Sequence, residues 1–488
     1  DRRLGTGGRG RGGPRRRDPG AGGRRVTWGL AERPVSHPLP RGETGTGRWR
    51  APVGAVLAVF ALLLALPQNL VVVGGAGGVT PARLLALACL LWWLVAVVGG
   101  LRRSTGANPV TRALLGFLVL VLTAHALATL DGGGVGADRI EETDRALLAL
   151  VPAIGVALLA SDGVRGRREV RWVLGALVLG TTASAGAAVV LFTVGVDPRP
   201  LLEVPGLELA PLWDADLARG GLVRAMGFAH HPIELAALAA MALPLAIHLA
   251  GHGRRPWLWW GCAALLALGV LTTISRTGLL GVAVVLVALL PRIGLRRWVS
   301  LGFGLVGALV VVVTAWPRLA EVLAATVLGS RTDNSVRGRL EDYTYVAGRL
   351  AEHPWWGQGF GTYLAPPQPY LDNQYLLTLV ESGPLGLLGL LVLLATPLLL
   401  ARRVAGGAVG SGDGDATGEA TRDRDTGWAL AVALLVGVCC LGTFDALAFP
   451  QFQGYLFLLI GLVGAVSSPA VSARARSPRS TDHPTRKG

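Results

Sequence analysis

The sequence predicts an all-α polytopic membrane protein with about twelve transmembrane helices and a large extracytoplasmic loop between the ninth and tenth. Three observations lead to this fold class. The apolar residues form long blocks, many near the roughly 20 residues that a helix needs to span a bilayer. The charged residues lie in clusters between these blocks. The formal net charge of the 488-residue chain, +15, is concentrated at its two ends.

Both ends of the chain are basic and polar. Residues 1–50 hold 13 arginines against four acidic residues, and residues 468–488 carry a net charge of +4. Because these segments contain too few apolar side chains to form a core, we predict a disordered basic cytoplasmic tail at 1–50 and a second basic cytoplasmic tail at 468–488. The nearly neutral apolar body between them favours a membrane protein and no nucleic-acid partner.

The membrane domain is predicted to cover residues 51–467. Its candidate spans are 51–73, 78–100, 109–130, 145–161, 171–194, 229–250, 257–274, 277–291, 298–316, 373–400, 428–447 and 452–467. The four cysteines lie inside these apolar blocks and are interpreted as small apolar side chains. They therefore predict neither a disulfide framework nor a metal site.

Arginines in alternate loops set the predicted orientation. With the N-terminal tail in the cytoplasm, every inner loop is basic, whereas the outer segment 131–144 is acidic. The positive-inside rule then places both termini in the cytoplasm and makes 401–427 a cytoplasmic linker. The outer loop at 317–372 is long, and loops beyond about 15 residues are usually functional or disordered. Its helix-like sequence from Arg337 to Glu352 and its aromatic residues favour a folded cap.

Arginines on the predicted outer side are not explained by orientation. Arg224 precedes the sixth span, and Arg276 lies between the seventh and eighth. Guanidinium groups bind phosphate oxygens bidentately, although both arginines could instead reach lipid headgroups. Arg337 and Arg339 lie in the long outer loop, where the alternative is surface pairing, for instance of Arg337 with Glu341.

The tenth span begins at Asp372 and Asn373, and either residue is a favoured helix N-cap. An ionised carboxylate here is also able to accept a proton from a sugar hydroxyl. Glu381 is an acid within the span and so a functional candidate, although the Ser-Gly-Pro that follows it predicts a kink that equally explains its tolerance. His230 and His231 open the sixth span without a third metal ligand at helical spacing.

Four segments in order resemble the O-antigen ligase and polymerase superfamily. They are Arg224-Ala-Met-Gly-Phe-Ala-His-His-Pro232, Thr273-Ile-Ser-Arg276-Thr-Gly278, Arg337-Gly-Arg339 continuing to His353-Pro-Trp-Trp-Gly357-Gln-Gly359, and Asp372-Asn373-Gln-Tyr375 followed by Glu381-Ser-Gly383-Pro-Leu-Gly386. Each segment is short, and the resemblance rests on their order, their spacing and the large loop between the ninth and tenth spans.

The resemblance implies a metal-independent membrane glycosyltransferase without a cofactor. Its donor would be an undecaprenyl-diphosphate-linked glycan, and its acceptor a hydroxyl on a glycan, lipid or protein at the outer face of the cytoplasmic membrane. Arg224 and an arginine of the Arg337/Arg339 pair would hold the donor diphosphate. Asp372 stands where the family's ligases typically have a histidine base. Substrate binding is predicted for Arg276, His231, Asn373, Tyr375 and Glu381.

Two other functions fit a polytopic chain. The alternative from a different class is a non-enzymatic transporter or flippase of lipid-linked glycans, which should show inverted repeats and polar residues near the midplane of several spans. A structural partner in an envelope assembly complex is the third. The arginines on the outer side and the large outer loop favour the enzyme.

Overall fold

The computed structural model describes residues 52–74, 79–100, 108–130, 137–210, 218–328, 334–407 and 418–468, so the predicted tails lie outside the described residues except for Ser468. Over these ranges the chain is mostly helical. Its helices are α1 Val53–Leu64, α2 Pro81–Val98, α3 Pro109–Leu130, α4 Ala137–Gly163, α5 Arg167–Val194, α6 Pro232–His252, α7 Pro256–Thr272, α8 Arg276–Leu289, α9 Leu295–Ala315, α10 Pro317–Leu328, α11 Asn334–Glu352, α12 Gln374–Ala405, α13 Gly418–Leu441 and α14 Pro450–Ser467.

Many of these helices begin at a proline, which fixes φ and lacks the N–H that the first helical residue leaves unbonded. Proline is the first residue of α2, α3, α6, α7, α10 and α14. The preceding residue can add a cap, as at α2, where the Thr80 hydroxyl accepts a hydrogen bond from the backbone N–H of Arg83 at 3.3 Å. The sequence thus encodes these starts locally.

Eight of the described helices are long and apolar enough to cross a membrane: α2, α3, α4, α5, α6, α12, α13 and α14. Two more predicted spans, α1 and α7, are shorter apolar helices. The predicted all-α membrane fold is therefore confirmed, whereas the count of twelve spans is not.

The first predicted span, 51–73, is wrong in its extent because the helix ends at Leu64. Pro67 supplies no N–H to continue a helix, and the side-chain amide of Gln68 donates to the Leu64 carbonyl at 3.0 Å. The chain then forms strand β1, Leu70–Val72, which pairs antiparallel with strand β2, Leu207–Leu209. A second short pair joins β3, Ala218–Arg219, to β4, Leu222–Val223.

The core is centred on α6 and α14. In each of these two helices, 83% of the 18-residue apolar stretch is buried inside the protein. Helix α14 packs against α4, while α6 packs between α7 and α13. The alanine-rich face of α6 permits this because small side chains let neighbouring helices approach closely. The starts and ends of these helices are consequently fixed relative to one another.

Two predicted loops contain more helix than the sequence indicates. The segment 317–372 carries α10 and α11, and α11 covers the predicted helix-like stretch from Arg337 to Glu352. The predicted linker 401–427 is shorter, because α12 continues to Ala405 and α13 begins at Gly418. Charged residues at the start of α13 are bonded to α5, because Arg167 pairs with Glu419 and Asp423.

Candidate active site at one end of the helix bundle

Arg224 lies against the turn between α7 and α8. Its Nε donates a hydrogen bond to the Thr273 carbonyl at 3.0 Å, and the next residue's backbone N–H donates to Thr272. Arg219 reaches the same turn, with Nη1 3.2 Å from the Ile274 carbonyl oxygen. Burial, together with the nearby positive charge of Arg219, lowers the pKa of Arg224 to about 10. Arg224 is therefore a half-buried cation at neutral pH, and no described carboxylate forms an ion pair with it.

The turn itself is strained at Ile274, a β-branched residue with φ of 49°. Such a residue rarely occupies the left-handed region and stays there only when its surroundings hold it. Here the side chain is fully buried against Leu319 of α10 and Val312 of α9, and the carbonyl is bonded by Arg219. Packing and hydrogen bonds thus fix the turn that carries Arg276.

His231 caps the start of α6. Its Nδ1 accepts a hydrogen bond from the backbone N–H of Ile233 at 3.2 Å, and its ring centroid lies 6.2 Å from that of Phe449. Burial, followed by the charges of Arg224 and His230, lowers the pKa of His231 to about 4. The imidazole is consequently neutral at pH 7. With Nδ1 used as an acceptor, the ring proton is assigned to Nε2, which offers one donor to a ligand.

Glu234, one turn further along α6, is fully buried and structural. One carboxylate oxygen accepts the backbone N–H of His230 at 2.8 Å. The other accepts the backbone N–H groups of Gln451 and Phe452 at 3.0 and 3.1 Å, at the start of α14. This single side chain ties the first residues of α6 and α14 together, which keeps His231 beside the loop before α14.

At the start of α12 the structure separates the roles of the two predicted capping residues. Asn373 is the N-cap, and its Oδ1 accepts the backbone N–H groups of Tyr375 and Leu376 at 2.9 and 3.4 Å. Asp372 precedes the cap and is exposed. The Tyr375 hydroxyl donates to the Val438 carbonyl of α13 at 2.7 Å. Asp372 is thus the accessible polar group here, while Asn373 and Tyr375 hold the helix end in place.

The loop between α13 and α14 brings in Asp445, which is not among the residues predicted from the sequence. Burial and the nearby negative charge of Asp372 raise the pKa of Asp445 to about 7. Asp445 lies near the end of the predicted span 428–447. The two aspartates are far apart in the sequence, so their proximity in space could not be predicted from it. An acidic residue at the end of an apolar block is the one signal that could have marked it.

Hydrogen bonds hold this loop between its neighbours. The Thr277 hydroxyl of α8 donates to that of Thr443 at 2.9 Å. The side-chain oxygen of Gln374 accepts the backbone N–H of Leu447 at 2.9 Å. The loop therefore joins the starts of α8 and α12, and Phe449 extends it to His231. We call Arg224, His231, Asp372 and Asp445 the helix-end cluster.

Two residues predicted to bind substrate form hydrogen bonds within the protein. Arg276 Nε donates to the Thr326 carbonyl of α10 at 2.8 Å, so it anchors that helix. Glu381 is buried in α12 and its carboxylate accepts backbone hydrogen bonds from Gly361 and Tyr363. Arg337 and Arg339 belong to α11, but their side chains lie outside the described residues.

The predicted kink in α12 is present at Gly383, where φ is 65°. Because Pro384 has no N–H, the Val380 carbonyl would be left without its helical partner. The segment 353–363 supplies the replacement: Gln358 N–H donates to Val380 at 2.9 Å, and Gly359 N–H donates to the Glu381 carbonyl at 2.8 Å. The third and fourth sequence segments thus interlock at the kink.

Gly357→Ala is expected to destabilise the protein by about 2–4 kcal/mol. Gly357 has φ of 70°, and a Cβ there would overlap the Val380 carbonyl oxygen, so strain and overpacking combine. Thermal unfolding of the purified chain in detergent measures the effect. Gly348→Ala in α11 is the matched control, since a Cβ at Gly348 meets open space. Equal unfolding midpoints for the two variants would contradict the interlocking role.

Residues 261–391 match the O-Antigen ligase family, over a region that contains Arg276, Asp372, Asn373, Tyr375 and Glu381. No curated protein matches the chain. The apolar helices and the family match support a multi-pass membrane protein, and the match supports a function of the O-antigen ligase or polymerase type. The resemblance predicted from the four sequence segments is thereby confirmed: residues 261–391 of this chain match the O-antigen ligase family.

Proposed function

We propose that the chain transfers a saccharide from an undecaprenyl-diphosphate-linked donor to an acceptor hydroxyl at the outer face of the cytoplasmic membrane, in surface polysaccharide assembly. The observation that carries this proposal is Arg224. It is a half-buried cation without an ion-pair partner among the described residues, it lies against the turn between α7 and α8 that Arg219 also contacts, and it lies near the neutral His231. Such a site favours a phosphate-bearing ligand.

In this reaction the acceptor oxygen forms a bond to the anomeric carbon while the bond from that carbon to the diphosphate breaks. The diphosphate leaves with the electron pair, and Arg224 stabilises the charge that develops on it. One arginine of the Arg337/Arg339 pair is proposed, from the family resemblance, to share this role. The proton of the acceptor hydroxyl passes to Asp372, which is exposed and close to Asp445.

The other predicted residues are assigned to binding and positioning. His231 offers an Nε2 donor to the donor sugar or diphosphate. The side-chain N–H groups of Asn373 can contact substrate because its cap uses only Oδ1. Arg276, Tyr375 and Glu381 act by holding α10, α13 and the kinked part of α12 in place.

The orientation is supported by the charge at the two ends of the bundle. The end that carries the helix-end cluster is opposite to the one where Arg254, Arg255, Arg402 and Arg403 lie, since α6 and α12 run from the cluster to these arginines. By the positive-inside rule, we propose that the cluster lies on the outer side and both termini in the cytoplasm. The donor would therefore be used after its glycan has reached the outer face.

The proposal is tested with the purified full chain in detergent, supplied with an undecaprenyl-diphosphate-linked glycan carrying a labelled sugar and with membranes of the source cells as acceptor. Label is expected to move to larger products, with release of undecaprenyl diphosphate. A flippase would leave the donor intact, because micelles have no second compartment. Equal product is expected with and without EDTA, since arginines supply the positive charge. Heat-inactivated protein is the control, and an unchanged donor would refute the transferase.

A further inference from the structure

A second cavity lies at the opposite end of the bundle from the helix-end cluster. Its volume is about 340 Å³, within the range of small-ligand pockets. It is formed where α5, α7 and α13 begin and where α6, α12 and α14 end. Helix α6 alone has 21 residues between the two ends, so this cavity is separated from the cluster by about 30 Å. The proposed transfer reaction does not use it.

The cavity is strongly basic. Five arginines line it against one aspartate: Arg167, Arg171, Arg254, Arg255 and Arg422 against Asp423. That aspartate is already occupied, since both of its oxygens accept hydrogen bonds from Arg167 at 2.7 Å. Among the described residues the other four arginines form no ion pair. The lining thus carries positive charge that the described part of the protein does not neutralise.

Two histidines of α6 complete the polar side of the cavity. His252 Nε2 lies 2.8 Å from an Asp425 oxygen, and Asp425 also pairs with Arg292. His248 Nε2 lies 3.2 Å from the Thr426 hydroxyl, while its buried Nδ1 has no hydrogen-bond partner among the described residues. A buried polar atom without a partner is uncommon in a folded protein, and this one belongs to a residue that lines the cavity.

The remaining wall is apolar. Leu174, Leu249, Leu258 and Trp259 line it. A soluble phosphate would contact the arginines alone, whereas a phosphate attached to glycerol and acyl chains would also place its hydrocarbon along these apolar side chains. The combination of both surfaces in one cavity is what distinguishes it from a simple row of loop arginines.

We propose that this cavity binds a phosphate-bearing anion, either the headgroup of an anionic membrane lipid or a soluble phosphate. The positive-inside rule explains why arginines lie at this end of the bundle, but it does not require them to line a cavity. Arg402 and Arg403 show the difference: they lie at the same end, are exposed, and do not line the cavity. They provide a matched control with the same loss of charge.

The test is native mass spectrometry of the purified full chain titrated with phosphatidylglycerol or phosphatidylcholine. The wild-type chain is expected to retain at least tenfold more phosphatidylglycerol. Arg171→Gln/Arg255→Gln is expected to lose at least tenfold of that binding, and Arg402→Gln/Arg403→Gln less than twofold. Since the wild-type preference is measured without any substitution, it tests the site even if a variant does not fold.

Competition with inorganic phosphate distinguishes a lipid headgroup from a soluble phosphate as the ligand. Displacement of the lipid by phosphate would show that the cavity also takes a soluble phosphate, and failure to displace it would assign the cavity to the lipid headgroup; either result supports the site. Absence of lipid preference together with absence of phosphate binding would overturn the proposal. Equal losses in the cavity and control variants would overturn it as well, because general charge would then account for the binding.

Discussion

Arg224→Ala is expected to reduce saccharide transfer by at least about 100-fold, the cost of removing one group that stabilises charge developing in a transition state. The guanidinium is half-buried and has no carboxylate partner among the described residues, so its charge is available to the diphosphate. The measurement is the amount of extended glycan formed from labelled lipid-linked donor by membranes that contain equal amounts of each variant.

Two further variants separate catalysis from folding. Arg224→Lys keeps the positive charge but loses the planar guanidinium, which can bind phosphate oxygens through two N–H groups at once. We therefore expect activity between that of the wild type and that of Arg224→Ala. Arg318→Ala removes an exposed arginine of α10 and should retain full activity. Because Arg224 also bonds the Thr273 carbonyl, thermal unfolding of each variant is measured in parallel. A fully active Arg224→Ala protein would exclude the proposed role.

Asp372→Asn is expected to lower transfer by about 100- to 10,000-fold, the range for loss of a general base. In the wild type, activity should rise as the pH increases through about 7, because a protonated carboxyl cannot accept the proton of the acceptor hydroxyl. We assign this rise in activity to the titration of Asp372 and Asp445 as a pair, since burial and the charge of Asp372 raise the pKa of Asp445 to about 7. The pH dependence of initial transfer rates measures it.

Asp445→Asn distinguishes a positioning residue from a structural one. Without the negative charge of the Asp445 carboxylate, Asp372 ionises more readily. The pH at which the transfer rate rises should therefore decrease by at least about one unit. A purely structural role for Asp445 would lower the rate at all pH values without changing the pH at which it rises. Glu321→Gln on α10, an exposed acid without a role in the site, should leave the profile unchanged. An unmoved midpoint in Asp445→Asn would refute the coupling.

Much of the local structure was predictable because its causes are local. Apolar blocks and prolines predict the helices and their starts, and Gly383-Pro384 predicts the kink in α12. The extent of the first span was not predictable in the same way, since an apolar run such as Leu70–Val72 fits a strand as well as a helix. Only its pairing with β2 decided between them.

The candidate site was predictable in part. Arg224, His231 and Asp372 were identified from the sequence, and the structure places each at the same end of the bundle. The same reasoning predicts ligand contacts for Tyr375 and Glu381, whose polar atoms are bonded to the protein itself. It missed Asp445 entirely, because the contacts that place the loop beside Asp372 join residues such as Gln374 and Leu447 that are 73 positions apart.

The sequence by itself determined that the chain forms apolar helices between two basic termini, and its short segments showed the resemblance to the O-antigen ligase family. Both follow from properties of single residues and their neighbours: hydrophobicity, capping, backbone freedom and charge. Tertiary structure alone decided which helix ends meet, which polar groups are already bonded, and that arginines at the far end of the bundle enclose a cavity. All three features depend on packing between helices that are distant in the sequence. The role of an ionisable group is set by the charges and hydrogen bonds around it in space, and this packing brings them together.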